Sequence, residues 1–389
     1  MMVLTSDIGC EVAVQKRAGL SSEMVPQAHA RIIATDEVAA SSATAVSNAV
    51  ARFSVFLSNY NHGRYLPEAL DAILEQSIQP HEIYLIDDGS TDGSPQIIDE
   101  YACRYANVRS IKLAYNRGFM ANLEEFLATT DAEYIYMAAA DDVVLPGLFE
   151  KSLAMLQRFP AAGLCSASSL LMSLDGKNLG RIATHEPART PCFIPPEVAN
   201  RLLMRRDGWF MGNTTIYRRS ALRRIGDFDA PLAGFADGFA CRVIAATCGA
   251  CYIPDVLAYW RRSPEGMAGQ MTRNAEVARA IADRASILVR ERYASDFAPG
   301  YGERLHRRLL YQGAVAATQW ADGSRAYLEQ LLGPLRPVDR AALAFIKATP
   351  LGKQRLAMAY LALRLRPHDV VDRLAMALRG ETPPGSRLK

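Results

Sequence analysis

Between residues 53 and 159, short apolar runs rich in β-formers alternate with segments of helical spacing, at intervals of about 25 residues. The runs "FSVFLS" (53–58), "EIYLID" (82–87), "VRSIKL" (108–113) and "EYIYMAA" (133–139) predict strands. Between them, Leu66, Leu70, Ile73 and Leu74 share one helical face, Ser94-Pro95 supplies an N-cap and first-turn proline for a helix through Tyr105, and residues 119–129 and 147–159 predict two more helices. Strands joined by helices of this length pair in parallel and are covered on both faces, so the fold class is α/β with a mostly parallel sheet.

In open sheets of this kind, ligands bind outside the carboxyl ends of the strands. Polar clusters fall at those ends: Ser58-Asn59-Tyr60-Asn61 after the first strand, Asp87-Asp88-Gly89-Ser90 after the second, Asp141-Asp142 after the fourth. Three clusters on one rim exceed what turn chemistry alone asks for, although each taken singly is a common turn signal. The adjacent carboxylates of Asp141 and Asp142 admit four readings: a cap on the following helix, a hard-cation site completed by phosphate oxygens, one half of an acid/base pair, or a phosphoacceptor. Neither Gly-x-x-x-x-Gly-Lys-Ser/Thr nor Gly-x-Gly-x-x-Gly follows a strand, so a diphosphate at this rim would depend on a metal rather than on a glycine cradle.

Past residue 160 the pattern loosens. Residues 162–173 and 213–220 predict strands around a proline-bearing excursion, residues 237–247 a helix, and the next strand ends near Trp260. Residues 272–389 are nearly all helical by pattern, and residues 1–50 form a poorly ordered or weakly helical leader. The organisation expected is therefore 1–50 leader, 51–265 α/β domain and 266–389 helical region. No run of about 18 apolar residues spans a bilayer, and the N-terminus lacks the basic and apolar regions of a signal peptide. Seven scattered cysteines fit reduced thiols in a cytoplasm, and the lone Cys248-x-x-Cys251 reads as core rather than zinc. The net charge of +3 hides a split: residues 300–389 carry 15 Lys/Arg against 7 Asp/Glu. Those basic helices either lie on an anionic inner membrane face or pack against the catalytic half or a second subunit.

The stretches "SNYNHGRYLPEAL", "EIYLIDDGSTDGSPQII", "NRGFMANLEEFL" and "YIYMAAADDVVLPGLFE", in that order, resemble the nucleotide-sugar half of glycosyltransferase family 2, with its GT-A fold. "IYRRSALRRIGDFD" followed by "ADGFACRVI" resembles the acceptor half, and the likeness covers roughly residues 53–262. It implies transfer of a sugar from a nucleotide-diphosphate donor to a hydroxyl, usually with inversion, assisted by Mg²⁺ or Mn²⁺. The acceptor implied is a glycan or a lipid-linked molecule in surface-glycan assembly, with no nucleic-acid partner. By the same resemblance Asn59, Tyr60, Asn61, Asp87, Asp88, Asn116, Arg117 and Gly118 line the nucleotide sugar. Asp141 holds the metal, Asp142 orients donor or loop beside it, and Asp237 is the base that takes the acceptor proton. Three positions depart from the family pattern: Ala139 stands for the first aspartate of the metal motif, Ala236 for the glutamate before the base, and Ser263 or a neighbour for a metal-binding histidine. Arg261 and Arg262 could offset diphosphate charge in compensation. Tyr115 is a candidate to stack on the base, Trp209 and Phe210 to platform a sugar or fill the core, and His62 to be a solvated turn residue or a ligand. The readings kept open beside transfer are a sugar nucleotidyltransferase and a non-catalytic nucleotide-sugar-binding protein.

Overall fold

The computed structural model describes residues 33–34, 52–182, 186–263, 266, 269, 273–317, 324–348 and 353–378. In chain order the elements are β1 (Ile33–Ala34), β2 (Phe53–Asn59), α1 (Leu66–Leu74), β3 (Glu82–Asp87), α2 (Ser94–Arg104), β4 (Val108–Lys112), α3 (Phe119–Thr129), β5 (Tyr134–Ala139), β6 (Val143–Val144) and α4 (Leu148–Arg158). They continue with β7 (Leu164–Met172), β8 (Asn178–Arg181), β9 (Cys192–Ile194), α5 (Pro196–Arg205), β10 (Ile216–Arg218), α6 (Arg219–Ile225), α7 (Ala236–Cys248) and β11 (Ala250–Arg261). Six helices close the described chain: α8 (Ala275–Glu291), α9 (Tyr301–Ala317), α10 (Ser324–Leu332), α11 (Pro337–Ala348), α12 (Lys353–Leu365) and α13 (Pro367–Leu378).

One sheet runs β1-β9-β11-β7-β10-β5-β2-β3-β4, with β6 against β11 and β8 against β7. The pairs β2–β3, β3–β4, β2–β5 and β7–β11 are parallel, and β10 enters antiparallel between β5 and β7. The chain winds outward from β2 through β3 to β4, then returns to lay β5 on the other side of β2. That reversal is the topological switch point, and it puts the ends of β2 and β5 side by side, Ser58 opposite Ala139.

Strand alternation divides the core. Phe56 faces Phe126 and Leu123 of α3, while Val55 and Leu57 face the other way, in a cluster with Leu66, Leu70 and Ile73 of α1 and Phe149 of α4. Each such side chain, fully buried, contributes about 1.5–3 kcal/mol. The first cluster extends without a break through α7, α8 and α9 to Leu361 and Leu365 of α12, so the C-terminal helices share the core of the α/β half.

The leader expected over 1–50 lies outside the described residues except for Ile33 and Ala34, which pair antiparallel with Phe193 and Cys192. Two local expectations are corrected. Ser94 is the first helical residue rather than the cap, and its amide is received by the Asp92 carboxylate at 2.9 Å. The strand expected over 213–220 shortens to Ile216–Arg218, between a 3₁₀ turn (Gly212–Thr214) and α6. The cause is hydroxyl chemistry. Thr214 Oγ1 accepts from Ala167 N at 3.0 Å and donates to Ala167 O at 2.8 Å, and Thr215 Oγ1 donates to Met211 O at 2.8 Å. Side chains that bond backbone groups in this way offer the chain an alternative to the sheet ladder. Among the described residues, no helix is long and apolar enough to cross a membrane.

Candidate active site

The ends of β2 and β3 form one hydrogen-bonded floor. Asn59, fully buried, donates through Nδ2 to Asp87 Oδ1 at 3.0 Å and to Ser90 Oγ at 3.1 Å. Its own Oδ1 is buried without a partner, a polar atom facing an unfilled need. Asp87 Oδ2 receives Ser90 N at 3.1 Å. Asn61 takes a left-handed φ of 55°, and its Oδ1 accepts Thr91 N at 2.8 Å, which clasps the turn after β2 to the turn after β3. Asp88 acts differently, because its two oxygens accept the amides of Arg117 at 2.8 Å and Gly118 at 3.0 Å. It holds the 116–118 turn against the rim. Arg117 turns its guanidinium toward Asn122 and Glu125 of α3, at 2.9 and 2.6 Å. Gly89, at φ +75°, passes so close to the Tyr115 backbone that a β-carbon there would sit 2.6 Å away. Tyr60 and Tyr115 stay exposed on the rim, at 44% and 69%.

At the end of β5 the two carboxylates separate in role. Asp142 is buried, and its Oδ1 receives the amide of Arg261 at 2.8 Å. Burial first, then the neighbouring Asp141 charge, push its carboxyl well above the usual range, against the lowering by the Arg261 amide and the nearby Asn213 side chain. Asp141 is half-buried, and no described side chain hydrogen-bonds its carboxylate. Burial raises its pKa, while the nearby His62 and Arg261 draw it down. Arg261 is fully engaged: Nε donates to Asp141 O at 2.8 Å, one terminal nitrogen meets Glu68 at 2.5 Å, the other reaches Ser173 O at 3.3 Å, and the guanidinium lies 4.5 Å from the Tyr65 ring centre. Of the two arginines weighed for charge compensation, Arg261 is thus a structural bolt and Arg262 is the exposed one.

Asp237 stands in the first turn of α7. Its Oδ1 receives Gly238 N at 2.6 Å, burial pushes its carboxyl above the ordinary range, and Arg242 counteracts that push. Its other oxygen rests against the 3₁₀ turn: a β-carbon on Gly212 would lie 2.3 Å from Asp237 Oδ2. The next residue, Asn213, donates through Nδ2 to Ser169 Oγ at 3.3 Å, lies near enough to Asp142 to lower its pKa, and accepts the Tyr136 hydroxyl on its carbonyl at 2.9 Å. One three-residue turn therefore lies beside both the carboxylate pair of β5 and the carboxylate of α7, across a sequence gap of almost a hundred residues. Because only the mobile end of Asp237 would clash, Gly212→Ala should fold with near-native thermal stability. It should lower turnover about tenfold or more, since displacing a positioned group by an ångström can cost about a hundredfold. Unchanged turnover would detach Gly212 from the site.

His62, half-buried in the turn after β2, lies near enough to Asp141 to draw that carboxyl's pKa down. Asn213 opens the strand expected over 213–220, and Gly212 lies just before it. Trp209 is core, 1% exposed, with Phe210 half-buried beside it at a ring separation of 4.4 Å. Among the described residues, no group of three His, Cys, Asp or Glu side chains is arranged to hold a metal. Asp142 is committed to the Arg261 amide, and Ala139 carries no ligand. A hard cation therefore fits here as an ion held by the Asp141 carboxylate and completed by phosphate oxygens, a mode natural to Mg²⁺.

Residues 54–226 match the sequence model described as glycosyl transferase family 2. EpsE of Bacillus subtilis, a glycosyltransferase candidate, is 28% identical over 205 residues, 49% of this chain and 69% of that protein. An uncharacterized glycosyltransferase of a Nostoc species is 26% identical over 270 residues, 67% of this chain and 81% of that one. Among solved structures, residues 1–349 of S. aureus TarS in complex with UDP-GlcNAc superpose with a TM-score of 0.53 at 16% identity, covering 85% of this chain and 92% of that one. A mannosyltransferase from Pyrobaculum calidifontis, in complex with GDP-Man and Mn²⁺, gives a TM-score of 0.50 at 20% identity, covering 84% and 86%. At these identities the structural likeness concerns the GT-A fold.

Proposed function

We propose that this chain, whose residues 54–226 match the model of glycosyl transferase family 2, moves a sugar from a nucleoside diphosphate to an acceptor hydroxyl by inverting displacement. The reading is carried by the Gly212–Thr214 turn, which abuts Asp237 on one side and lies near Asp142, the neighbour of Asp141, on the other. Asn59, Tyr60, Asn61 and Asp87 line the nucleoside, with Tyr115 exposed for stacking on the base. Asp88 holds the Asn116-Arg117-Gly118 turn in place. Asp141 holds Mg²⁺ or Mn²⁺, which when bound neutralises charge on the departing diphosphate. Asp142 fixes the strand end that presents Asp141.

A sugar hydroxyl is a poor nucleophile, so a carboxylate must take its proton as it attacks. Asp237 is suited to this. Burial keeps it more basic than a solvated aspartate, and the Gly238 amide and Arg242 offset part of that rise. The acceptor is a glycan or lipid-linked hydroxyl in surface-glycan assembly on the cytoplasmic side. The basic C-terminal helices act by packing, because Arg364 and Arg366 are spent on Asp339 and Asp369.

The test is a panel of nucleoside diphosphate sugars, including UDP-GlcNAc and GDP-mannose, with released nucleoside diphosphate measured with and without Mn²⁺. Metal-stimulated release of the nucleoside diphosphate from at least one donor is expected. Tight nucleotide binding with no release across the panel would point instead to a binding protein.

A further inference from the structure

The first turn of α7, which carries Asp237, is poorly held by its own sequence. No side chain caps it, Gly238 lies within it, and the segment leading into it passes through Ala233 at φ 48°, ψ −128°, a strained conformation for a residue with a β-carbon. Something outside the helix must fix it.

That something is ionic. Arg242, one turn on, donates to Gly238 O at 2.6 Å and lies over the Phe235 ring, while its Nε pairs with Asp207 Oδ1 at 2.7 Å. Asp207 Oδ2 accepts the Tyr301 hydroxyl of α9 at 2.9 Å and faces Arg308 of the same helix at 3.8 Å. Arg308 donates to Asp369 of α13 at 3.0 and 3.2 Å, and to the carbonyls of Leu203 and Met204 at the end of α5 at 2.6 and 2.8 Å. Arg366 closes the run on Asp369 at 2.6 Å. The five side chains, Arg242, Asp207, Arg308, Asp369 and Arg366, are exposed by 10, 3, 7, 8 and 13% or less in turn. Desolvating such groups is costly, and packed apolar residues would stabilise a core at least as well. What a buried ion chain adds is fixed registry between the elements that carry it.

We propose that this chain of alternating charges transmits the seating of the C-terminal helices to α7, so that Asp207, Arg308 and Asp369 are positioning residues that hold Asp237 in place. The proposal rests on the reading of Asp237 as the base. The 301–378 helices are then a working part of the transfer site rather than an appendage.

The test is amide hydrogen exchange, read peptide by peptide on the full chain without ligand, together with thermal unfolding. In the double variant Arg308→Met/Asp369→Leu the two charges leave together, Asp207 keeps Arg242, and Arg366, which still lies over the Tyr311 ring, is the one member of the run that loses its partner. It should unfold close to the wild-type temperature, while amides in residues 236–242 exchange about tenfold faster or more. Unchanged exchange over 236–242, with any loosening confined to 301–317 and 353–378, overturns the proposal. Should the double variant not fold, Arg308→Lys keeps the charge but loses the planar fork and is read in the same way. Because exchange needs no donor, an unchanged segment removes the positioning role whatever Asp237 does. Conversely, wild-type transfer by Asp237→Asn would remove the base and leave the exchange result standing.

Discussion

Asp237→Asn lowers transfer by about a hundred- to ten-thousand-fold, the usual contribution of a positioned general base, and leaves nucleoside diphosphate affinity unchanged. The substitution keeps the shape and the contact with the Gly212 turn but cannot accept a proton. The pH dependence carries the same signature. Burial raises the Asp237 pKa and outweighs the lowering by the Gly238 amide and Arg242. The active, ionised form is present above that raised value, and rate is lost as pH falls through it. The acid limb of the wild-type profile therefore lies above the range of a solvated aspartate, and in Asp237→Asn that limb disappears. Rate measurements between about pH 4 and 8 check both statements. Wild-type turnover by the variant would place the base elsewhere.

Asp141→Ala weakens metal-dependent donor binding and lowers turnover about a hundred- to a thousandfold, the scale of losing a group that stabilises charge in the transition state. The variant should also become insensitive to chelators, because the cation has lost its one uncommitted carboxylate. Asp142 offers no substitute while it receives the Arg261 amide. Calorimetric titration of UDP and GDP with and without Mn²⁺ reads the binding change. A variant that keeps wild-type affinity and full chelator sensitivity would remove Asp141 from the metal site.

Much of the rim at the ends of β2, β3 and β5 was legible because its placement is local. In an α/β alternation, polar residues just past a strand can only sit at its carboxyl end, and Asn59, Asp87 and Asp141 all do. What stayed hidden depends on contacts between distant segments. Asp88 reads like Asp87, yet its oxygens are consumed by amides some thirty residues away. Asp142 reads like Asp141, yet it is bonded across 119 residues to the end of β11. The turn at 212–214 carries β-favouring threonines, and only their hydroxyls, spent on β7 and on Met211, divert it from the sheet. The ion chain from Arg242 to Asp369 joins residues that no periodicity links. In the C-terminal segment an excess of basic residues left a membrane surface and packing both open, and several of those side chains are interior.

Everything in the proposed chemistry depends on a cation at Asp141 and the carboxylate of Asp237 flanking one reacting centre. Crystals grown with UDP and Mn²⁺, with data collected at the manganese edge, put this arrangement on view. An anomalous peak is expected at the Asp141 carboxylate, bridged to the diphosphate, with the open side of that diphosphate facing Asp237 and the Gly212 turn. A manganese ion bound away from Asp141, or a diphosphate whose open side faces away from Asp237, would contradict it.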